Sequence, residues 1–132
     1  MKPPMRPQEL NMELLRISSF NEMDGQQVYY DLLTHKEWWT AIYYTCEGCA
    51  LPMAKNERPV IHGDLICLRD MATDSYNGAT LFIIPENGHS RDIQTLARKK
   101  WNADEVWELD KAEASSRLGT TQPPTVVRIW WD

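Results

Sequence analysis

Apolar residues recur along this 132-residue chain in two rhythms, one near 3.6 residues and one near two. Leu10, Leu14, Leu15 and Ile17 mark the first rhythm, on a helix predicted from Pro7, whose missing amide hydrogen suits a first turn. Residues 1–7, with three prolines, read as a flexible lead-in. Residues 21–25 are turn-like. Val28, Tyr29, Tyr30, Leu32 and Leu33 then form one dense aromatic and branched run, over residues 26–33. Trp38, Trp39, Ile42, Tyr43 and Tyr44 form another, over residues 38–45. The polar connector at residues 34–37 joins them, which predicts a β-hairpin.

Residues 46–59, rich in Gly, Pro, Asn and charge, read as a loop. Residues 60–68 read as a strand interrupted at His62-Gly63-Asp64. Turn residues fill 73–78, where Asn77-Gly78 suits positive φ, and a strand follows at 79–84. Next come a loop at 85–89, Ser90 as a helix cap, Asp92 in the first turn, and Ile93, Leu96, Ala97 and Trp101 at helical spacing. Asn102 is the expected stop, and residues 106–109 return as a strand, so the segment predicts a βαβ unit. A short helix at 111–117 and a last strand at 125–131 complete the chain. The sum is a single α+β domain: an N-terminal helix, a hairpin in the first half, a βαβ unit in the second, and a mixed sheet of about six strands.

Composition narrows the functional classes. Hydrophobic residues make up 42% of the chain and charged ones 25%, and six Trp, five Tyr and two Phe supply enough apolar area to exclude disorder. The net charge of −5 is spread over both halves, with no basic stripe to neutralise phosphates, which disfavours nucleic acid as a partner. No run of about 18 apolar residues occurs, so no membrane span is expected. The N-terminus is too polar for an export signal, and three cysteines are an odd number for a disulfide framework. A reducing, cytoplasmic setting is the expectation.

Three sets of residues carry candidate chemistry. Cys46, Cys49, His62 and Cys67 place two thiolates on one tight turn and a second ligand pair further on, the donor types zinc prefers. In spacing the set resembles a C2HC zinc finger, over residues 46–67 only. It departs from that pattern because the second pair falls on a predicted strand, where positions five apart face opposite ways. The same Cys46-Glu47-Gly48-Cys49 pair lacks a following helix to lower a thiol pKa, which argues against a redox dithiol. Gly88, His89, Ser90 and Arg91 stand between a strand and a helix, where backbone amides, a hydroxyl and a guanidinium suit an anionic ligand. The acidic run Asp104, Glu105, Glu108, Asp110 and Glu113 suits a basic groove on a protein partner.

The third set is aromatic. Trp38, Trp39, Tyr43, Trp107, Trp130 and Trp131 fall on predicted strands, where adjacent rings must face opposite sides of a sheet. Rings left on an uncovered face suit a protein interface, with another protein or a second copy of the chain. No Ser-His-Asp or Cys-His arrangement emerges from three scattered histidines, so a binding protein without catalysis is the leading expectation, with zinc as a possible cofactor.

Overall fold

A computed structural model describes residues 5–20, 22–45, 63–76 and 78–131. In chain order, α1 spans Pro7–Arg16, β1 Ser19–Phe20, β2 Met23–Asp24 and α2 Gly25–Thr34. A 3-10 turn at Lys36–Trp38 leads into β3, Trp39–Thr45. Then follow α3 (Gly63–Ala72), β4 (Thr80–Pro85), α4 (Ser90–Lys99), β5 (Glu105–Glu108), α5 (Lys111–Leu118) and β6 (Val127–Trp130). The class is α+β. The principal sheet has four strands in the order β3-β4-β6-β5, and β1 and β2 pair only with each other. Every ladder is antiparallel, so the sheet is not the mixed one expected. The physical reason is that β6 returns between β4 and β5, which run the same way but never touch as neighbours.

Residues 26–33 are helix, not the first strand of a hairpin. Asp24 caps α2, its carboxylate accepting from the amides of Gln26 at 3.1 Å and Gln27 at 3.3 Å. Gly25, Val28, Asp31 and Leu32 then share one buried face at three- and four-residue spacing, while Tyr30 and Leu33 stay exposed. Apolar residues at adjacent positions had hidden a helical period. The strand expected through residue 68 is likewise replaced by α3, which carries Leu65, Leu68 and Met71 exposed. Ser90 is the first residue of α4 rather than its cap. Positive φ occurs at Asp74, Gly88, Asn102 and Gly119 but not at Gly78, and α4 ends at Lys99, short of the expected stop at Asn102.

The sheet is two-sided. Trp39, Ile42 and Tyr44 of β3, Leu81 and Ile83 of β4, and Val127 and Ile129 of β6 face one side. They meet Met12 and Leu15 of α1, Val28 and Leu32 of α2, and Ile93 and Ala97 of α4 in one continuous core. Three tryptophans lie within it, and each indole N–H has an acceptor. Trp39 donates to the Leu32 carbonyl at 2.9 Å, Trp101 to Asp31 Oδ2 at 2.9 Å, and Trp131 to the Trp101 carbonyl at 2.7 Å. Asp31 also accepts from Gln27 at 2.9 Å. These bonds satisfy polar atoms that would otherwise cost about 1–3 kcal/mol each when buried.

The free edge of β3 is closed by α1. The Gln8 side-chain amide both donates to the Ile42 carbonyl at 2.9 Å and accepts from the Ile42 amide at 3.0 Å, and Asn11 accepts from the Tyr44 amide at 2.8 Å. Two polar side chains thus stand where another strand would pair.

Two tight packing points make the fold testable. A Cβ on Gly25 would lie 2.0 Å from the Leu15 carbonyl oxygen and 2.3 Å from that of Ser18, both backbone atoms. Gly25→Ala is therefore expected to cost about 3 kcal/mol or more and to lower the melting temperature by roughly 10 °C, read by circular dichroism.

Tyr44 is enclosed, and its hydroxyl donates to the Gly78 carbonyl at 2.7 Å. Burial pushes this phenol up to about 12, and burial also raises Tyr76 beside it. The folded state holds the Tyr44 proton more tightly than the unfolded chain. Stability from this group is complete below about pH 10 and is lost as pH rises towards 12, by about 2–3 kcal/mol. Urea melts from pH 8 to 11.5 should show this loss in the natural chain and a flatter profile in Tyr44→Phe.

Candidate functional site

The sheet's second face is the one that α1, α2 and α4 do not cover. Alternation along the strands points Ala41 and Tyr43 of β3, Phe82 and Ile84 of β4, Arg128 and Trp130 of β6, and Trp107 of β5 to it. The register makes a row of four of them: Tyr43 opposes Phe82, Phe82 opposes Arg128, and Arg128 opposes Trp107. One cation and three rings therefore cross the full width of the sheet. Tyr43 is 58% exposed and Trp107 39%.

Arg128 lies with its guanidinium carbon 4.6 Å from the Trp107 ring centre, and one Nη is 3.8 Å from Glu105. Its side chain is otherwise largely buried against the sheet, and the contact is a cation–π pair. Arg128 Nη1 and the Trp130 indole N–H, two positions apart on β6, are enclosed and donate to no acceptor among the described residues.

Around this end of the face stand Asp104, Glu105 and Asp110, all exposed. Glu108 is turned to the opposite side of the sheet, where it accepts from the Ser90 hydroxyl at 2.5 Å and from Gln94 at 3.4 Å, both on α4. Arg98 donates to the Val106 carbonyl at 2.9 Å and blunts the outer edge of β5.

The other end of the face is partly roofed by α5. Asp110 caps this helix through the Glu113 amide at 2.8 Å, and Gly119 ends it in the left-handed region at φ 67°. Beneath it Leu109, Ala114 and Val126 form a second, smaller core against Phe82 and Ile84. Between α5 and the β3–β4 ladder remains a cavity of about 280 Å³.

Of the six aromatics expected as anchors, Tyr43 and Trp107 are exposed on this face. Trp130 shares the face but is half-buried. Trp39 and Trp131 are core residues, at 3% and 0% exposure, which corrects their placement among surface anchors. The physical reason is alternation for Trp131, while for Trp39 the register shift between Trp39 and Ala41 turns the ring to the helix-covered side. Trp38 lies apart, half-buried between two imidazoles, with ring centres 3.7 Å from His35 and 5.7 Å from His89. Phe82 and Arg128 were missed, because nothing local in the sequence says which strands become neighbours.

The residues 88–91 lie at the start of α4. His89 pairs with Asp92 through Nδ1 at 3.0 Å, and the Ser90 hydroxyl is committed to Glu108. Gly88 adopts φ 85° and is exposed, as is Arg91. His89 and Ser90 thus already serve acidic groups of the chain itself and do not converge with Arg91 on one point.

Cys46, Cys49 and His62 lie outside the described residues. Cys67 belongs to α3, a helix rather than the strand assumed when the set was compared with a finger. Among the described residues no three His, Cys, Asp or Glu side chains gather around a common point, and no helix is long and apolar enough to cross a membrane.

No family model matches this chain, and no curated protein or solved structure is similar to it.

Proposed function

We propose that this chain is a protein-interaction module of the cytoplasm that grips its partner with the second face of the sheet. The observation that carries this reading is the row Tyr43, Phe82, Arg128 and Trp107, with its two outer rings open to solvent. Exposed Tyr and Trp side chains set rigidly on strands lose little entropy on binding, and such residues dominate the energy of protein interfaces. The cation–π contact with Arg128 favours one placement of the Trp107 ring, which lowers the entropy lost on binding.

Charge supports a class of partner. Glu105 shares the face with Trp107, and Asp104 and Asp110 are exposed at either end of β5, in a chain whose net charge is −5. A basic protein surface would be steered towards this end of the face, with an on-rate that falls as salt rises. A second copy of the chain would instead bring like charges together, which makes a different protein the favoured partner.

Tyr30 on α2 supplies an internal control, since it is exposed to the same 58% as Tyr43 but on another side of the molecule. A photo-crosslinking amino acid at position 43 or 107 should trap one discrete adduct in cells, and the same group at position 30 should not. Tyr43→Ala and Trp107→Ala should each weaken that complex by about 10- to 100-fold in a binding titration while leaving the melting temperature within a few degrees. Equal trapping from positions 30 and 43, or alanine variants that bind as tightly as the natural chain, would overturn the proposal.

A further inference from the structure

The two edges of the principal sheet differ. Gln8 and Asn11 occupy the edge of β3, whereas the outer edge of β5 meets, among the described residues, the Arg98 guanidinium. In an antiparallel ladder alternate residues turn their backbone groups to opposite edges. The Trp131 amide donates to Ala79, beside β4, and the Leu109 amide donates to Val126, which fixes the phase. Glu105 and Trp107 therefore bond to β6, while Val106 and Glu108 aim their N–H and C=O groups outward.

The Val106 carbonyl accepts from Arg98 at 2.9 Å. The Val106 N–H and both backbone groups of Glu108 have no bond to a described residue. Unpaired groups at strand spacing form a template for another strand. A shallow trough of about 420 Å³ lies along this edge, bounded by Arg91, Gln94 and Arg98 of α4 and by Val106, Trp107 and Glu108. Arg98 is exposed, and its acceptors, the Val106 carbonyl and the Gln94 side chain at 3.3 Å, are neutral. Water replaces such bonds readily when the side chain swings out.

The order of side chains on β5 is acid, apolar, apolar, acid: Glu105, Val106, Trp107, Glu108. Residues directly opposite on paired strands interact, and opposite charges or apolar pairs there are favourable. A strand reading basic, apolar, apolar, basic complements β5 in either direction. Asp104 and Asp110, exposed beyond its two ends, favour the same sign, and four acids outnumber Arg91 and Arg98 at this edge.

We propose that the partner adds a fifth strand at β5, an extended segment of basic–apolar–apolar–basic sequence, when Arg98 swings off the Val106 carbonyl. Its assignment to the partner rests on the docking reading, because this edge borders Trp107. A second copy of the chain would bring the same acids to the edge, so the segment belongs to a different protein.

The test titrates the capped peptides Ser-Lys-Val-Val-Lys-Ser and Ser-Glu-Val-Val-Glu-Ser into the full chain, followed by backbone amide NMR. The lysine peptide is expected to shift the Val106 and Glu108 amides saturably and slow their hydrogen exchange. It should bind about tenfold more tightly than the glutamate peptide. Glu108→Pro removes an outward N–H and leaves the ladder to β6 intact, the position where a strand tolerates proline. Against Glu108→Ala, which loses the same side chain, it should weaken binding about tenfold. Arg98→Met should tighten binding about threefold by freeing the carbonyl. Should Glu108→Pro fail to fold, amide exchange in the natural chain decides: the lysine peptide must slow Val106 and Glu108 and leave Tyr30 on α2 unchanged.

Shifts that spare Val106 and Glu108, or equal binding by Glu108→Pro and Glu108→Ala, would overturn strand addition. Equal binding of the two peptides, or a dimer that Glu108→Pro dissociates, would overturn the assigned occupant. Unchanged affinity in Arg98→Met would overturn the latch. Tyr43→Ala, at the opposite edge of the sheet, must leave the peptide titration unaltered, and a titration that depends on Tyr43 would overturn the edge site. Failure of the peptide with intact crosslinking at positions 43 and 107 sinks the added strand alone, and the reverse result sinks the docking face alone.

Discussion

Three buried indole N–H groups hold this fold in one arrangement. Burying a tryptophan ring is favourable wherever the ring fits, but its N–H must find an acceptor, and acceptors occur only in particular places. Trp101, just beyond α4, finds the Asp31 carboxylate on α2. Trp131, at the end of β6, finds the carbonyl of Trp101. Trp39, at the start of β3, finds the last turn of α2. Helix, sheet edge and chain end are thus tied through directional bonds rather than through contact area alone. Asp31 is the hub, since an acidic group at 8% exposure is tolerable only because donors meet it.

That arrangement leaves the sheet with unequal faces and unequal edges. One face is closed by three helices, and the edge of β3 is sealed by Gln8 and Asn11 acting as surrogate strand groups. Among the described residues the second face is covered by α5, a short helix with a single buried alanine, which leaves part of it open. The apolar side chains that alternate onto it are consequently exposed at the rim and underpacked beneath the helix.

Charge and aromaticity divide the second face further. The β5 end sets Trp107 beside Arg128 and exposed carboxylates, and the α5 end sets Arg117 over the Phe82 ring.

Much of the architecture was legible in the sequence. The spacing of Leu10, Leu14 and Leu15 marked α1, that of Ile93, Leu96 and Ala97 marked α4, and the runs around Ile42, Ile83 and Ile129 marked three strands, because side-chain period follows directly from backbone geometry. Residues 26–33 defeated that logic: with rings and branched residues at nearly every position, the helical period was masked, and only the Asp24 cap and the burial of Val28 and Leu32 on one side reveal it. The tertiary structure alone decided that Tyr43, Phe82, Arg128 and Trp107 stand in line, and that Trp39 and Trp131 do not. Strand order joins residues more than eighty positions apart, and it is set by which buried donors find acceptors across the whole core, a condition that no local stretch of sequence can express.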